Sequence, residues 1–251
     1  MIAQLGWYDR AETSAADDRY WALIRKHLGY GPQHLDRTTS FWDGWLDPGL
    51  IVSQTCGYPY RSSLHGKVQL VGTPINRLPG CPPGYYCSAF VARANDIRKS
   101  LSDFAGARLA YNDALSQSGW AGPVQHLVTE GIAISAGEAT GSHQNSSRAV
   151  AEGRADLAGL DILSWDLIKD FDPWADQLRV LGHTPPTPAP PYVCSLAQDA
   201  DATFKAIEAA IQDLSAADRA LLRLHGLARI PPEEYLAVPT PAAPEQFLSA
   251  H

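Results

Sequence analysis

Phe104-Ala-Gly-Ala-Arg-Leu-Ala-Tyr-Asn-Asp-Ala-Leu-Ser-Gln-Ser-Gly-Trp120 decides how this 251-residue chain is read. Through Ala110 it is an apolar run of strand type, and beyond it Val124, Leu127 and Val128 recur at helical spacing. The segment therefore predicts strand, polar loop, helix. A loop that closes on Ser116, Ser118 and Gly119 brings hydroxyls and backbone N–H groups to a helix start, where the helix dipole is positive. Such a place can seat an anion. The plainer alternative is that Ser116 or Ser118 only caps the helix, since serine is among the favoured cap residues.

Working outward, hydrophobic residues make up 45% of the chain and charged residues 19%, which fits a globular protein with a real core. The length allows one large domain or two modest lobes. A net charge of −7, with no basic run to override it, argues against a nucleic-acid partner. The apolar stretch Met1 to Tyr8 is short for a signal segment and no basic region precedes it. The expectation is a cytoplasmic protein, or a periplasmic one if an export signal has been removed. The four cysteines, Cys56, Cys81, Cys87 and Cys194, form no C-x-x-C pair, which leaves a zinc or redox reading weak. Cys81 and Cys87 could bridge in an oxidising compartment, and buried reduced thiols are the preferred reading.

Taken in order, Ile2 to Tyr8 reads as a strand. A helix then starts with Asp17 as cap, carries Tyr20, Trp21, Leu23, Ile24 and Leu28 on one face, and stops at Gly29. A short strand is expected near His34, a helical turn or two over Phe41–Leu46, and strands over Leu50–Ser53 and Lys67–Gly72. From Tyr85 the alternation repeats. Strands are predicted at 85–92, 107–111, 132–136, 155–160 and 178–183, and helices at 119–129, 143–152 and 162–170. Strands alternating with helices imply parallel pairing with helices on the sheet faces. The five prolines of Thr184-Pro-Pro-Thr-Pro-Ala-Pro-Pro191 bar that stretch from a sheet interior and mark a stiff crossover. A strand at Tyr192 follows, then helices through Phe204, Ile207, Ile211 and Leu214, from Ser215, and from Pro231. The Pro/Ala-rich tail after Pro239 is expected to fray.

Three more segments end strands or start helices with polar side chains. They are Ser53-Gln-Thr-Cys-Gly-Tyr-Pro-Tyr60, Thr140-Gly-Ser-His143, and Gly153-Arg-Ala-Asp-Leu-Ala-Gly-Leu-Asp161. Ligands of open α/β sheets collect at such carboxyl ends of strands. Asp161 also suits the cap of the helix that follows, and His143 suits a cap as well.

Leu101-Ser-Asp-Phe-Ala-Gly-Ala-Arg through Ser116-Gln-Ser-Gly119, then Gly141-Ser-His143, then Ala149-Val-Ala-Glu-Gly-Arg-Ala-Asp156 leading to Asp161, resemble in order and spacing the phosphate/phosphonate-binding family of solute-binding proteins that serve ABC transporters. The resemblance covers nearly the whole chain. It implies the α/β, type II periplasmic-binding-protein fold. There, two lobes, each a mixed, mainly parallel sheet flanked by helices, are joined by two crossing strands and close on a ligand. One lobe would hold residues 1–86 and 193–251 and the other 87–192, with the hinge near 84–92 and 184–194. By the same resemblance Ser116, Gln117, Ser118 and His143 would bind the anionic end of the ligand. Asp161 would face a ligand amine, and Tyr58, Tyr60 and Tyr8 would line the cleft from the other lobe.

Gln117 stands where the family often has a hydroxyl residue. Trp7, Tyr58, Tyr60, Trp120 and Trp165 make the expected cleft aromatic, and Trp120 is counted with the ligand-binding residues. Both features suit an organic ligand, anionic or zwitterionic, better than inorganic phosphate. The resulting expectation is a monomeric binding protein without cofactor or metal, partnered by an ABC transporter permease. A cytoplasmic ligand sensor is the alternative. A hydrolase built on Ser116 or Ser118, His143 and Asp161 has the residue types of a triad. It lacks the G-x-S-x-G elbow.

Overall fold

The computed structural model describes residues 1–247. They fall into two compact units, one made of Met1–Tyr85 and Pro188–Ala237, the other of Tyr86–Thr187 and the segment from Val238. In chain order the first unit begins with β1 (Ile2–Ala3), α1 (Ser14–Leu28), α2 (Phe41–Leu46), β2 (Leu50–Gln54), a helical turn α3 (Gly57–Pro59) and β3 (Val68–Pro74). The short β4 (Tyr85–Tyr86) leads into the second unit. That unit holds β5 (Ser88–Arg93), β6 (Ala107–Tyr111), α4 (Gly122–Thr129), β7 (Ile134–Ala139), α5 (His143–Ala151), β8 (Leu157–Asp161), α6 (Ile162–Phe171) and β9 (Leu178–His183). After β10 (Thr187–Pro188) the first unit is completed by β11 (Tyr192–Ser195), α7 (Ala200–Asp213), α8 (Ala216–Leu221), β12 (Leu227–Ala228) and α9 (Pro232–Leu236). No helix among the described residues is long and apolar enough to cross a membrane.

The first unit is built on a five-stranded sheet in the order β1-β2-β11-β3-β12. β1 and β2 pair parallel, while β11 runs antiparallel to β2 and to β3. One face packs on α1 and α7 through Tyr20, Trp21, Ile24, Ile207 and Ile211. The other packs on Trp45, Tyr60, Leu64, Ile230 and Tyr235. Helix α1 ends where Gly29, at φ 79°, adopts the left-handed conformation that glycine takes without strain and donates its N–H to Arg25 O. Asp17, expected as the cap, instead lies inside the first turn, and Thr13 occupies the N-cap position. The strand expected near His34 is absent. Asp36 N–H makes one bond to Ala3 O, 2.8 Å, and the Asp36 carboxylate then gathers the N–H groups of Thr38 and Thr39, which turns the chain away from the sheet edge. The predicted strand Ile2 to Tyr8 is short for a similar reason: Gly6–Tyr8 coil into a 3-10 turn.

The second sheet has the order β7-β6-β8-β5-β9. β6 pairs parallel with β7 and β8, with Leu109 opposite Leu157, and β5 runs antiparallel to β8 and β9, with Ser88 opposite Asp161. Side chains alternate across the sheet. Phe90 and Leu109 join Phe104, Trp120, Val124 and Leu127 on one face. Val91 and Ala110 join Ala149, Val150, Leu160 and Ile168 on the other.

Up to Phe247 the tail expected to fray is folded, and residues 248–251 of that expectation lie outside the described residues. Pro244–Phe247 form a 3-10 turn, Ala242 O accepts the indole N–H of Trp120 at 3.0 Å, and the Phe247 ring stands edge-on to Trp120 at 5.5 Å. The segment from Val238 thus belongs with the second unit, where the sequence reading put all of 193–251 in the first.

Candidate functional site in the second unit

Three helices of the second unit begin where β6, β7 and β8 end. After β6, Ser116 caps a wide helical turn over Gln117–Ala121 that continues into α4. Its Oγ accepts from Gly119 N–H at 2.9 Å, and its carbonyl accepts from Trp120 and Ala121. After β7, Ser142 caps α5 by accepting from Asn145 N–H at 3.0 Å, which makes His143 the first helical residue. After β8, Asp161 caps α6, its Oδ1 accepting from Leu163 N–H at 2.8 Å and Ser164 N–H at 3.1 Å. The first N–H groups of a helix lie outside its own ladder, so each start is a region of positive potential.

The first two starts are in direct contact. Ser118 Oγ lies 2.9 Å from His143 Nε2. Their loops are laced together as well: Thr140 N–H donates to Tyr111 O at 2.8 Å and Gly141 N–H to Asn112 O at 3.0 Å. The third start is brought close by a glycine. A β-carbon on Gly159 would collide with the Pro123 ring and come 3.2 Å from Ser118 O, so only glycine lets β8 pass against the start of α4.

Ser116, Gln117, Ser118 and Asp161 are all buried, and His143 is partly buried. Burial pushes the His143 imidazole down to about 4, against a weaker upward pull from the Gly159 carbonyl, so the ring is neutral at neutral pH. Its Nδ1 is buried without a hydrogen-bond partner. None of the residues in 112–119, 140–143 or 159–163 is lysine or arginine. These three loops offer hydroxyls, amides and a neutral imidazole, and no cationic side chain. No group of three or more His, Cys, Asp or Glu arranged to hold a metal occurs among the described residues.

Two of the expected contact residues are deeply buried. Trp120 is completely buried between Tyr111, at 5.0 Å, and Phe247, with its N–H committed to the tail. Tyr60 is enclosed by Tyr235 and His65, and burial raises its hydroxyl to about 12. Trp165 likewise sits in the core beside Ile168. In the first unit, Tyr58 is nearly buried under the Arg61 guanidinium, 4.4 Å from its ring, and Tyr8 closes the 3-10 turn after β1 with Trp7, which packs on Phe41 and Trp45. Asn112 escaped the sequence reading altogether. It sits in the loop after β6, its Oδ1 lies against Gly119, and that atom is buried without a hydrogen-bond partner.

A two-unit α/β chain with helix starts gathered at strand ends has the architecture of the type II periplasmic binding proteins, and solved structures bear this out. PhnD1 from Prochlorococcus marinus, in complex with methylphosphonate, superposes with a TM-score of 0.70 at 15% identity over 93% of each chain. The binding-protein component of an ABC phosphonate transporter from Pseudomonas aeruginosa gives 0.66 at 15% identity, over 88% of this chain and 78% of that one. XAC2383 from Xanthomonas citri, bound to chloride ion, gives 0.61 at 17% identity over 90% of each. No curated protein matches the sequence. The sequence model of one family, described as ABC transporter, phosphonate, periplasmic substrate-binding protein, matches residues 56–234, and the chain belongs to that family. Its members are periplasmic substrate-binding components of transporters.

Proposed function

We propose that this chain captures a small phosphonate-type oxyanion at the helix starts of its second unit and presents it to an ABC transporter permease. The carrying observation is the 2.9 Å contact between Ser118 Oγ and His143 Nε2, which joins two helix starts into one polar corner. Family membership and the fold of PhnD1, solved with methylphosphonate, support the ligand class. Hydrogen bonds to charged oxygens contribute about 1.5–3 kcal/mol each. A few of them reach the roughly −8 kcal/mol of micromolar binding without a cationic side chain. The protein acts as a monomer in the periplasm, and a zwitterionic ligand would set its amine toward Asp161.

The geometry speaks for binding over hydrolysis. A Ser-His-Asp triad needs the acid on His Nδ1. Here Asp161 Oδ1 is spent on capping α6, and His143 Nδ1 has no hydrogen-bond partner. The test is calorimetric titration with methylphosphonate, 2-aminoethylphosphonate and phosphate. We expect at least one phosphonate to bind at about micromolar Kd, and Ser118→Ala and His143→Ala each to weaken it about tenfold or more. Unchanged affinity in both variants would remove the site assignment.

A further inference from the structure

Among the described residues, six buried side-chain polar atoms lack a hydrogen-bond partner, and two of them, Asn112 Oδ1 and His143 Nδ1, border the same polar corner. A buried acceptor without a donor is costly, so it points to a donor that arrives with something else. Asn112 is fixed in place by its own carbonyl, which holds Gly141 N–H at 3.0 Å. Its Oδ1 lies where a β-carbon of residue 119 would fall, and that same β-carbon would come 3.2 Å from Ser116 Oγ. The orphan acceptor is thus set into the turn that carries Ser116 and Ser118.

We propose that Asn112 Oδ1 accepts the remaining hydrogen of a singly ionised oxyanion, so that the chain selects the hydrogen-phosphonate monoanion and rejects fully ionised anions of the same shape. This rests on the proposed function and sharpens it to one protonation state of the ligand. The electrostatics agree. No lysine or arginine lies in the three loops, and a carboxylate, Asp161, already stands at the third helix start, so a second negative charge on the ligand would go unmatched. The titratable groups on the elements around Asn112 are Tyr111 at the end of β6, raised by burial and by Glu245 of the tail turn and Asp113, then His143 on α5, Asp161 at the end of β8, and Asp113 itself in the same loop, whose Oδ1 accepts Leu115 N–H at 2.7 Å. His143, neutral above pH about 4, does not change charge across the neutral range. The pH response there belongs to the ligand.

The experiment compares methylphosphonate with methanesulfonate, which is alike in shape but carries no hydrogen on oxygen, by calorimetry at about pH 6 and about pH 9. Wild-type protein should bind methylphosphonate at least about tenfold more tightly than methanesulfonate at the lower pH. The methylphosphonate affinity should fall several-fold at the higher pH as the last P–OH ionises. Asn112→Ala, which keeps the backbone bond to Gly141, should shrink the gap between the two anions at low pH. Methylphosphonate binding that is unchanged or tighter at high pH overturns the inference, and so does a full gap in Asn112→Ala. The first result would mean that the amide presents its NH2 to the site, and the second that another group makes the discrimination. If wild-type protein binds neither these anions nor any phosphonate, the proposed function fails first, and the inference fails with it.

Discussion

Asp17 carries a carboxylate into the first unit's core beneath Tyr20 and Tyr192, whose hydroxyls lie 3.4 Å apart. Burial, reinforced by Asp9, raises its pKa from 3.8 to about 7. The sign follows from linkage. Protonated in both states below the unfolded value, the group penalises nothing there. As pH rises from 3.8 to about 7 the unfolded chain ionises first, and the folded state loses stability. Asp17→Asn should therefore raise the melting temperature near neutral pH and leave it unchanged at low pH, with an upper bound of about 4 kcal/mol at full effect. A variant that is no more stable than wild type at neutral pH would show that water or relaxation solvates the carboxylate. His143 works in the opposite sense. Its depressed pKa favours the folded state above about 6.5, and that contribution is lost as pH falls toward about 4. Sequence alone made Asp17 a helix cap because aspartate near a helix start most often is one. Its burial depends on α7 and β11, more than 170 positions away for Tyr192, and no local pattern carries that.

At the scale of elements, the join between β8 and α4 holds the site in shape. Gly159→Ala would drive a methyl group into Pro123 beside Ser118. We expect a loss of about 1–3 kcal/mol from overpacking, together with weaker phosphonate binding. Gly182→Ala, in β9, meets only Leu101 at 3.6 Å and should stay within about 0.5 kcal/mol of wild type. Equal effects at the two positions would show that strand propensity, not the approach to Pro123, governs both. The strand, loop and helix over 107–129 were legible in sequence because strand and helix each stamp a period on their apolar residues and Ser116 marks the turn between them. The cap at Asp161 was legible from its residue type, whereas the cap read at His143 falls one residue earlier, on Ser142. The widened turn over Gln117–Ala121 was not legible, and neither was Asn112, since an acceptor becomes an orphan only when its neighbours are known in space.

Across the whole molecule, the described chain passes between its units at Tyr85/Tyr86, at Thr187/Pro188 and again at Ala237/Val238, and the last passage carries the segment that covers Trp120. Ending the chain after Pro239 should uncover the indole that backs the Ser116–Ser118 loop. We expect a melting temperature lower by roughly 5 °C, red-shifted tryptophan emission and weaker phosphonate binding. A truncated protein that melts like the full chain would make the tail a passenger. The sequence reading placed two crossings near Tyr85 and the proline-rich stretch and treated the tail as loose. The tail is rich in proline and alanine, which stamp no helix or strand period on it, and the bond from Trp120 to Ala242 spans 122 positions.

The tail has a further consequence during synthesis. Residues 86–187 emerge from the ribosome while β11, which lies between β2 and β3, has yet to be made, so the second unit can assemble before the first. Yet the cover of Trp120 follows α9 in the chain, so an indole assembled within residues 86–187 stays exposed until the first unit's last helix and then Ala242–Phe247 have been made.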